Sequence, residues 1–148
     1  MVTAKKNRMQ QALDLAHKAG VHMTRQRLAV LEVVAESYDH PTAAQIYERV
    51  RNSHKELSLA TVYNSLETLA SAGVINHLNF NNGSARFCPN LVPHVHLLDD
   101  VSGEVIDIQL KKGLCPEDVF DLPKNCVIHH MAACLHGSVT PATPVSRK

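Results

Sequence analysis

No apolar run in the 148-residue chain approaches the roughly 18 residues that a membrane-spanning helix requires. The first residues are polar and basic, without the apolar stretch of a secretion signal. Both absences point to a cytoplasmic protein with no membrane partner. Cysteine is scarce: Cys88, Cys115, Cys126 and Cys134 include no Cys-x-x-Cys pair, which excludes the dense disulfide framework of a small secreted domain and leaves four thiols. Net charge is nearly missing as well, at +1, and so little charge evenly spread would argue against a nucleic-acid partner.

The charge is not evenly spread. Residues 1–27 hold Lys5, Lys6, Arg8, Lys18, Arg25 and Arg27 against Asp14 alone, while from Cys88 onward five basic residues meet seven acidic ones. The first segment suits a phosphate-facing surface, with a solvated basic arm as the plainer alternative. Ten histidines raise the prospect of a transition metal without locating it. At 45% hydrophobic, the chain can bury one core or build two small domains that share an interface.

Apolar periodicity and caps predict four helices. Met9, Ala12, Leu13 and Ala16 recur at helical spacing before Gly20. Thr24 can cap a second helix that turns Leu28, Leu31, Val34 and Ala35 inward, and Thr42 and Gln45 fit a capping box before Ile46 and Val50. Ser58 can cap a fourth, with Val62, Leu66 and Leu69 as its buried stripe and Gly73 as its stop. Its other face shows Thr61, Asn64, Ser65 and Thr68. Side chains that small let a helix approach a DNA groove closely, where an ordinary surface helix more often carries Glu and Lys.

Segments 74–80 and 85–87 then flank Asn81-Asn82-Gly83-Ser84, a hairpin signal. After Pro89 and Pro93, strands are predicted at 94–98, 104–110 and 127–135, with one or two helical turns between Pro116 and Leu122. The expected fold is α+β: a winged helix-turn-helix over 1–87, a hinge at 88–93, a small α/β domain with an antiparallel sheet over 94–137, and a disordered tail at 138–148. The second unit is too short for an independent core, so a homodimer that buries its sheet is expected.

Several stretches now stand in a distinctive order: Met23-Thr24-Arg25-Gln26-Arg27, His40-Pro41-Thr42-Ala43 with Ile46-Tyr47, and Ser58-Leu59-Ala60-Thr61-Val62-Tyr63, then His94-Val95-His96 and Gly103-Glu104-Val105-Ile106-Asp107-Ile108. In these the chain resembles the ferric uptake regulator family of iron, zinc, manganese and peroxide sensors, over roughly residues 9 to 137. The resemblance implies a metal-responsive repressor that binds a double-stranded DNA operator as a homodimer and is no enzyme. It matches Tyr63 to a tyrosine that touches bases, with Ser58 and Thr61 in the same helix. Asn64 stands where many relatives have Arg. Arg25 and Arg27 match residues that contact the DNA backbone, a role long cationic side chains suit.

On a strand, His94 and His96 point to one face, and Asp107 on the next strand can meet them. By itself such a pair is more often incidental than a site. The resemblance reverses that reading and adds His40 as a ligand from the DNA-binding domain. Cys88 follows Arg86-Phe87, where iron and peroxide sensors of the family carry Asp or Glu and zinc sensors often carry Cys. A soft thiolate favours Zn(II) as the cofactor, one ion per subunit, with Fe(II) or Mn(II) as alternatives. With iron or manganese, the same scaffold would be a peroxide-sensing repressor. Many relatives also hold a structural zinc on two Cys-x-x-Cys pairs. Here Asp99-Asp100-Val101-Ser102 occupies the first pair's place and no pair follows Gly137, so that site is absent. Two rivals stand outside the family: a metalloenzyme, for which no general base is evident, and a winged-helix regulator answering to a small effector.

Overall fold

The computed structural model describes residues 2–80, 83–128, 131 and 133–139. It divides into two compact units, Met1–Leu91 and Val92–Lys148. Among the described residues no helix is long and apolar enough to cross a membrane.

The first unit comprises α1 (Val2–Lys18), α2 (Arg25–Glu36), α3 (Ala43–Val50), α4 (Leu59–Ser71), β1 (Asn76–Leu78) and β2 (Arg86–Cys88). α2, α3 and α4 start where side-chain oxygens satisfy amides that lack a partner in the first turn. Thr24 Oγ1 accepts from Arg27 N at 3.1 Å. Thr42 Oγ1 accepts from Gln45 N at 3.3 Å while Gln45 Oε1 accepts from Thr42 N at 2.9 Å, a reciprocal capping box. Ser58 Oγ accepts from Thr61 N at 3.1 Å. After α1 the chain turns at Gly20, where a φ of 69° is open to glycine without strain.

One core joins these helices, formed around Ala16, Val30, Leu31, Val34, Ile46, Val50, Val62, Leu66, Leu69, Val74, Ile75 and Phe87. Each fully buried aliphatic side chain contributes about 1.5–3 kcal/mol relative to exposure. Two expectations shift. On α2, Leu28 is only half-buried, and Ala29 and Val30 take the inward positions. On α4, Ser65 is buried rather than outward, because it lies three residues from Val62 and four before Leu69 and so shares their stripe.

The wing is an antiparallel pair in the register Asn76↔Cys88, His77↔Phe87 and Leu78↔Arg86, shorter than the sequence suggests. His77 stacks on Phe87 with ring centroids 5.2 Å apart. The expected turn at Asn81-Asn82 lies outside the described residues. The fold of this unit is a winged helix-turn-helix.

The second unit holds β3 (His94–Asp99), β4 (Val105–Gln109), the single-turn α5 (Pro116–Val119) and β5 (Cys134–Gly137), in the sheet order β4-β3-β5. β3 and β4 are antiparallel with His96 opposite Asp107. The third strand differs from expectation in place and direction. It begins at Cys134, the described part of 127–133 carries no strand, and β5 runs parallel to β3 with Cys134 opposite His96. The long connection through α5 crosses to the far edge of β3 before returning, and a crossover of that kind delivers a parallel strand where a hairpin cannot. Within this unit Val105 is the one buried hydrophobic residue among those described. Of the expected tail, residues 140–148 lie outside the described residues.

Candidate functional site

In the first unit the loop after α2 is pinned before it reaches His40. Arg49 on α3 grips Asp39 with both nitrogens, Nη1 to Oδ1 at 3.0 Å and Nη2 to Oδ2 at 2.5 Å, and Arg49 Nη1 also donates to Ser37 Oγ at 2.8 Å. These Arg49 hydrogen bonds hold the Asp39 carboxyl below the usual carboxylate range. His40 then adopts a φ of 51° immediately before Pro41. That left-handed conformation costs a non-glycine residue about 1–3 kcal/mol and persists only where its surroundings enforce it.

The enforcement comes from β2. Arg86 Nη1 donates to the His40 carbonyl at 3.2 Å, Phe87 N donates to the Pro41 carbonyl at 3.0 Å, and Thr42 bridges Arg86. The next residue of β2 is Cys88, buried, with Asn90 N donating to its Sγ at 3.4 Å. Asn76 Nδ2 in turn holds the Asn90 carbonyl at 2.6 Å. His40 and Cys88 thereby offer a nitrogen and a sulfur within 4.8 Å of each other.

In the second unit the donors converge across two strands. His94 Nε2 and His96 Nε2 are 3.0 Å apart, and Asp107 Oδ1 lies 3.5 Å from the first and 3.4 Å from the second. Both imidazoles are buried, at 4% exposure each. His94 Nδ1 sits 2.7 Å from the Val92 carbonyl. A carbonyl only accepts, so Nδ1 carries a proton, and Nε2, turned toward Asp107 and His96, is the nitrogen that can coordinate a metal. Two nitrogens bound to one Zn(II) at about 2.0–2.1 Å in a tetrahedron stand ~3.3 Å apart. The two imidazole nitrogens are therefore spaced as ligands of a single divalent ion, with a carboxylate oxygen at the third corner.

On the outer surface of the first unit, Tyr63 is 52% exposed and does not pack into the helix bundle. Asn64 beside it is exposed. Ser58 Oγ and Thr61 Oγ1 share a hydrogen bond of 2.8 Å at the start of α4, and Thr68 Oγ1 is turned back onto the Asn64 carbonyl at 2.8 Å. Arg25 is exposed in the first turn of α2, whereas Arg27 is half-buried and one guanidinium nitrogen donates to the His22 carbonyl.

Sequence reasoning passed over the residues that position these groups. Asp39, Arg49, Arg86, Asn76 and Asn90 carry no periodic or motif signal, although Asp39 and Arg49 offered opposite charges flanking a predicted loop and helix. Asp99 is a further omission. Its carboxylate accepts from Val101 N at 2.8 Å, Ser102 N at 3.2 Å and Val139 N at 3.3 Å, tying the β3–β4 turn to the segment after β5. His136 lies on β5 beside Asp100, while His129 and His130 lie outside the described residues.

A model of the ferric uptake regulator family matches residues 18–132. The chain is 32% identical over 101 residues to the peroxide-responsive repressor of Staphylococcus aureus, an alignment covering 68% of each protein. Among solved structures it is similar to a zinc-bound manganese uptake regulator, with 27% identity, a TM-score of 0.59 and coverage of 85% of this chain and 98% of the other. It is also similar to the ferric uptake regulator of Pseudomonas aeruginosa with manganese, with 25% identity, a TM-score of 0.64 and coverage of 84% and 94%.

Proposed function

The chain belongs to the ferric uptake regulator family, whose members are transcriptional regulators and not enzymes, and from that premise we propose that it is a DNA-binding repressor whose corepressor is Zn(II). The ion takes its ligands from His40, Cys88, His94, His96 and Asp107. The observation that carries this reading is the triangle of His94, His96 and Asp107, three donors within 3.5 Å of one another in an otherwise core-poor unit. Cys88 tilts the choice of metal, because its thiolate is a softer ligand than the carboxylate of iron-binding relatives. Five candidates exceed the four ligands of tetrahedral zinc, so His40 or Asp107 hydrogen-bonds to a ligand instead, or the site expands.

Drawing ligands from residues of both units converts binding energy into conformational energy, since the ion stabilises only arrangements in which all its ligands meet. In a homodimer such a restriction sets the separation of the two α4 helices, which must match operator half-sites about one helical turn apart. Metal then strengthens DNA binding and, by linkage, DNA strengthens metal binding by the same factor. At the DNA, Tyr63 reads base edges beside Ser58, Thr61 and Asn64, and Arg25 and Arg27 hold the phosphate backbone of an A/T-rich, partly palindromic site. Residues 1–87 carry this role, 88–93 act as the hinge and 94–137 sense metal and dimerise. The protein works in the cytoplasm.

Similarity to the Staphylococcus aureus peroxide-responsive repressor favours a second reading, in which Fe(II) or Mn(II) occupies the site and peroxide is the signal. His40 or His94 would then take one oxygen atom from peroxide, the other leaving as water, with bound Fe(II) supplying the redox chemistry. Protein loaded separately with Zn(II) and Fe(II), exposed to dilute peroxide and followed by operator release and peptide mass spectrometry, separates the two. Oxygen gained on His40 or His94 in the iron form alone, with loss of DNA binding, overturns the zinc reading. Operator binding that requires Zn(II) and survives peroxide upholds it.

A further inference from the structure

The sheet unit carries a second group of donor side chains beyond the residues assigned above. Cys134 and His136 alternate on β5, so both lie on one face. Their partners across the strand pair are His96 and Leu98 on β3. His136 Nε2 stands 3.8 Å from Cys134 Sγ, and its other ring nitrogen, Nδ1, stands 3.5 Å from Asp100 Oδ1. A sulfur about 2.3 Å and a nitrogen about 2.0–2.1 Å from one tetrahedral Zn(II) are ~3.6 Å apart, so this pair has the spacing of two ligands on one ion. A carboxylate on the far nitrogen is what orients a ligating imidazole and raises its basicity. Two donors are half of what zinc requires. Both are exposed on β5, which among the described residues pairs only with β3 and leaves its other edge open.

We propose that Cys134 and His136 are half of a second zinc site, which the same two residues of a second copy of this chain complete as Cys2His2. Antiparallel addition of two β5 strands about a twofold axis normal to the sheet keeps the same face upward in both copies. When that axis passes at Leu135, Cys134 of each copy stands opposite His136 of the other, with Cβ atoms about 4.5–5.5 Å apart. All four donors then gather on one patch of one face, each imidazole backed by its own Asp100. A second copy is the occupant because a twofold axis duplicates the donor pair without requiring any other protein to carry matching ligands. The unit also exposes Val101, Leu114, Val119, Phe120, Val127 and Leu135 while burying only Val105 among its described hydrophobic residues, a surface that association can cover. The inference rests on the dimer of the proposed function and not on the corepressor chosen there.

The test uses the full chain carrying Cys88→Ser, His94→Ala and His96→Ala, which leaves only His40 and Asp107 of the five candidate regulatory ligands and none of their thiolate, titrated anaerobically with Co(II) and followed by absorption and sedimentation. The expected result is a dimer that binds about one Co(II) per two chains with the intense visible bands of tetrahedral cobalt and a thiolate-to-cobalt charge-transfer band. Adding Cys134→Ser or, separately, His136→Gln should remove those bands. Both side chains are exposed, so neither change disturbs a core. Asp100→Asn should keep the spectrum and weaken cobalt binding about 10–100-fold. A dimer that binds no cobalt in this background, or bands that survive both Cys134→Ser and His136→Gln, overturns the site and leaves the repressor reading standing. A chain that stays monomeric with and without cobalt overturns the site together with the dimer on which it rests.

Discussion

The helical unit and the sheet unit bury their apolar residues in opposite ways. In Met1–Leu91 the helices close around one continuous core in which Leu31, Ile46, Leu66, Leu69 and Val62 are sealed from solvent. Among the described residues of Val92–Lys148 the well-buried positions are instead mostly polar: His94, His96 and Asp99 join Val105 inside, while Val101, Val119, Phe120, Val127 and Leu135 lie outside. Described residues that bury imidazoles and a carboxylate while leaving all their large apolar side chains but Val105 partly or fully exposed draw little stability from the hydrophobic effect. The sheet unit's described connections are polar instead, with the Asp99 carboxylate accepting from Val101 N, Ser102 N and Val139 N. The helical unit rests on its closed apolar core by comparison.

The largest expected effect sharpens that contrast. Leu66→Ala should destabilise the helical unit by about 2–5 kcal/mol in chemical denaturation, with or without metal, because it opens a cavity in a closed core. A loss under about 1 kcal/mol would mean the core is less tightly packed than the burial of Leu66 requires. Next, His94→Ala should abolish metal-dependent operator binding. It should also remove the part of the metal stabilisation that comes from the regulatory site, about 2.7 kcal/mol when the free metal is ~100 times that site's Kd. If metal still raises the melting temperature of this variant by the wild-type amount, the regulatory ligands lie elsewhere.

Tyr63→Ala should cost about 1–3 kcal/mol of operator affinity while sparing binding to random DNA. Equal losses on both would refute base readout. Arg25→Ala should weaken binding to both and lower the salt slope by about one.

The smallest effects concern the carboxylates that brace each unit. Backbone N–H groups of Val101 and Ser102 hold Asp99 below the ordinary carboxylate range, and hydrogen bonds from Arg49 do the same for Asp39. A lowered folded-state value means that the stabilisation is complete above the ordinary carboxylate range and is lost as pH falls through the lowered one. Asp99→Asn and Asp39→Asn should therefore each flatten the acid limb of stability, Asp99→Asn in amides of the sheet unit and Asp39→Asn in those of the helical unit, as read by hydrogen exchange. For the solvent-exposed Asp39–Arg49 pair the effect at neutral pH should stay within about 0.2–1 kcal/mol. Acid limbs unchanged by both substitutions would remove the polar bracing from the comparison.

The caps at Thr24, Thr42 and Ser58, the stripe of Val62, Leu66 and Leu69, and the placing of Asp107 on the strand next to His94 and His96 were all legible in the sequence. Each rests on a local period or on two predicted strands meeting in order. The outward place of Tyr63 and the convergence of His94, His96 and Asp107 were implied by the family resemblance, since strand alternation alone left the His-x-His pair open. Ser65 was misread because a small polar side chain carries no hydropathy signal of the stripe it occupies. The third strand was misplaced because Val127 and Ile128 have strand-forming side chains, yet nothing in a local window reveals that the chain will pair later, at Cys134, and in parallel.

The sequence by itself therefore determined the helices, their caps, the family and the types of donor available, since these depend on residues close in the chain. Tertiary structure decided what those residues meet. It set the left-handed turn at His40 under the grip of Arg49 on Asp39 and of Arg86 on the His40 carbonyl. It also set the clasp of Asp99 on Val139 and the approach of His136 to Asp100. Those contacts join residues 10 to 46 positions apart in the chain. Such pairings form only when the fold as a whole offsets the entropy of closing the loops between them, so no local pattern announces them.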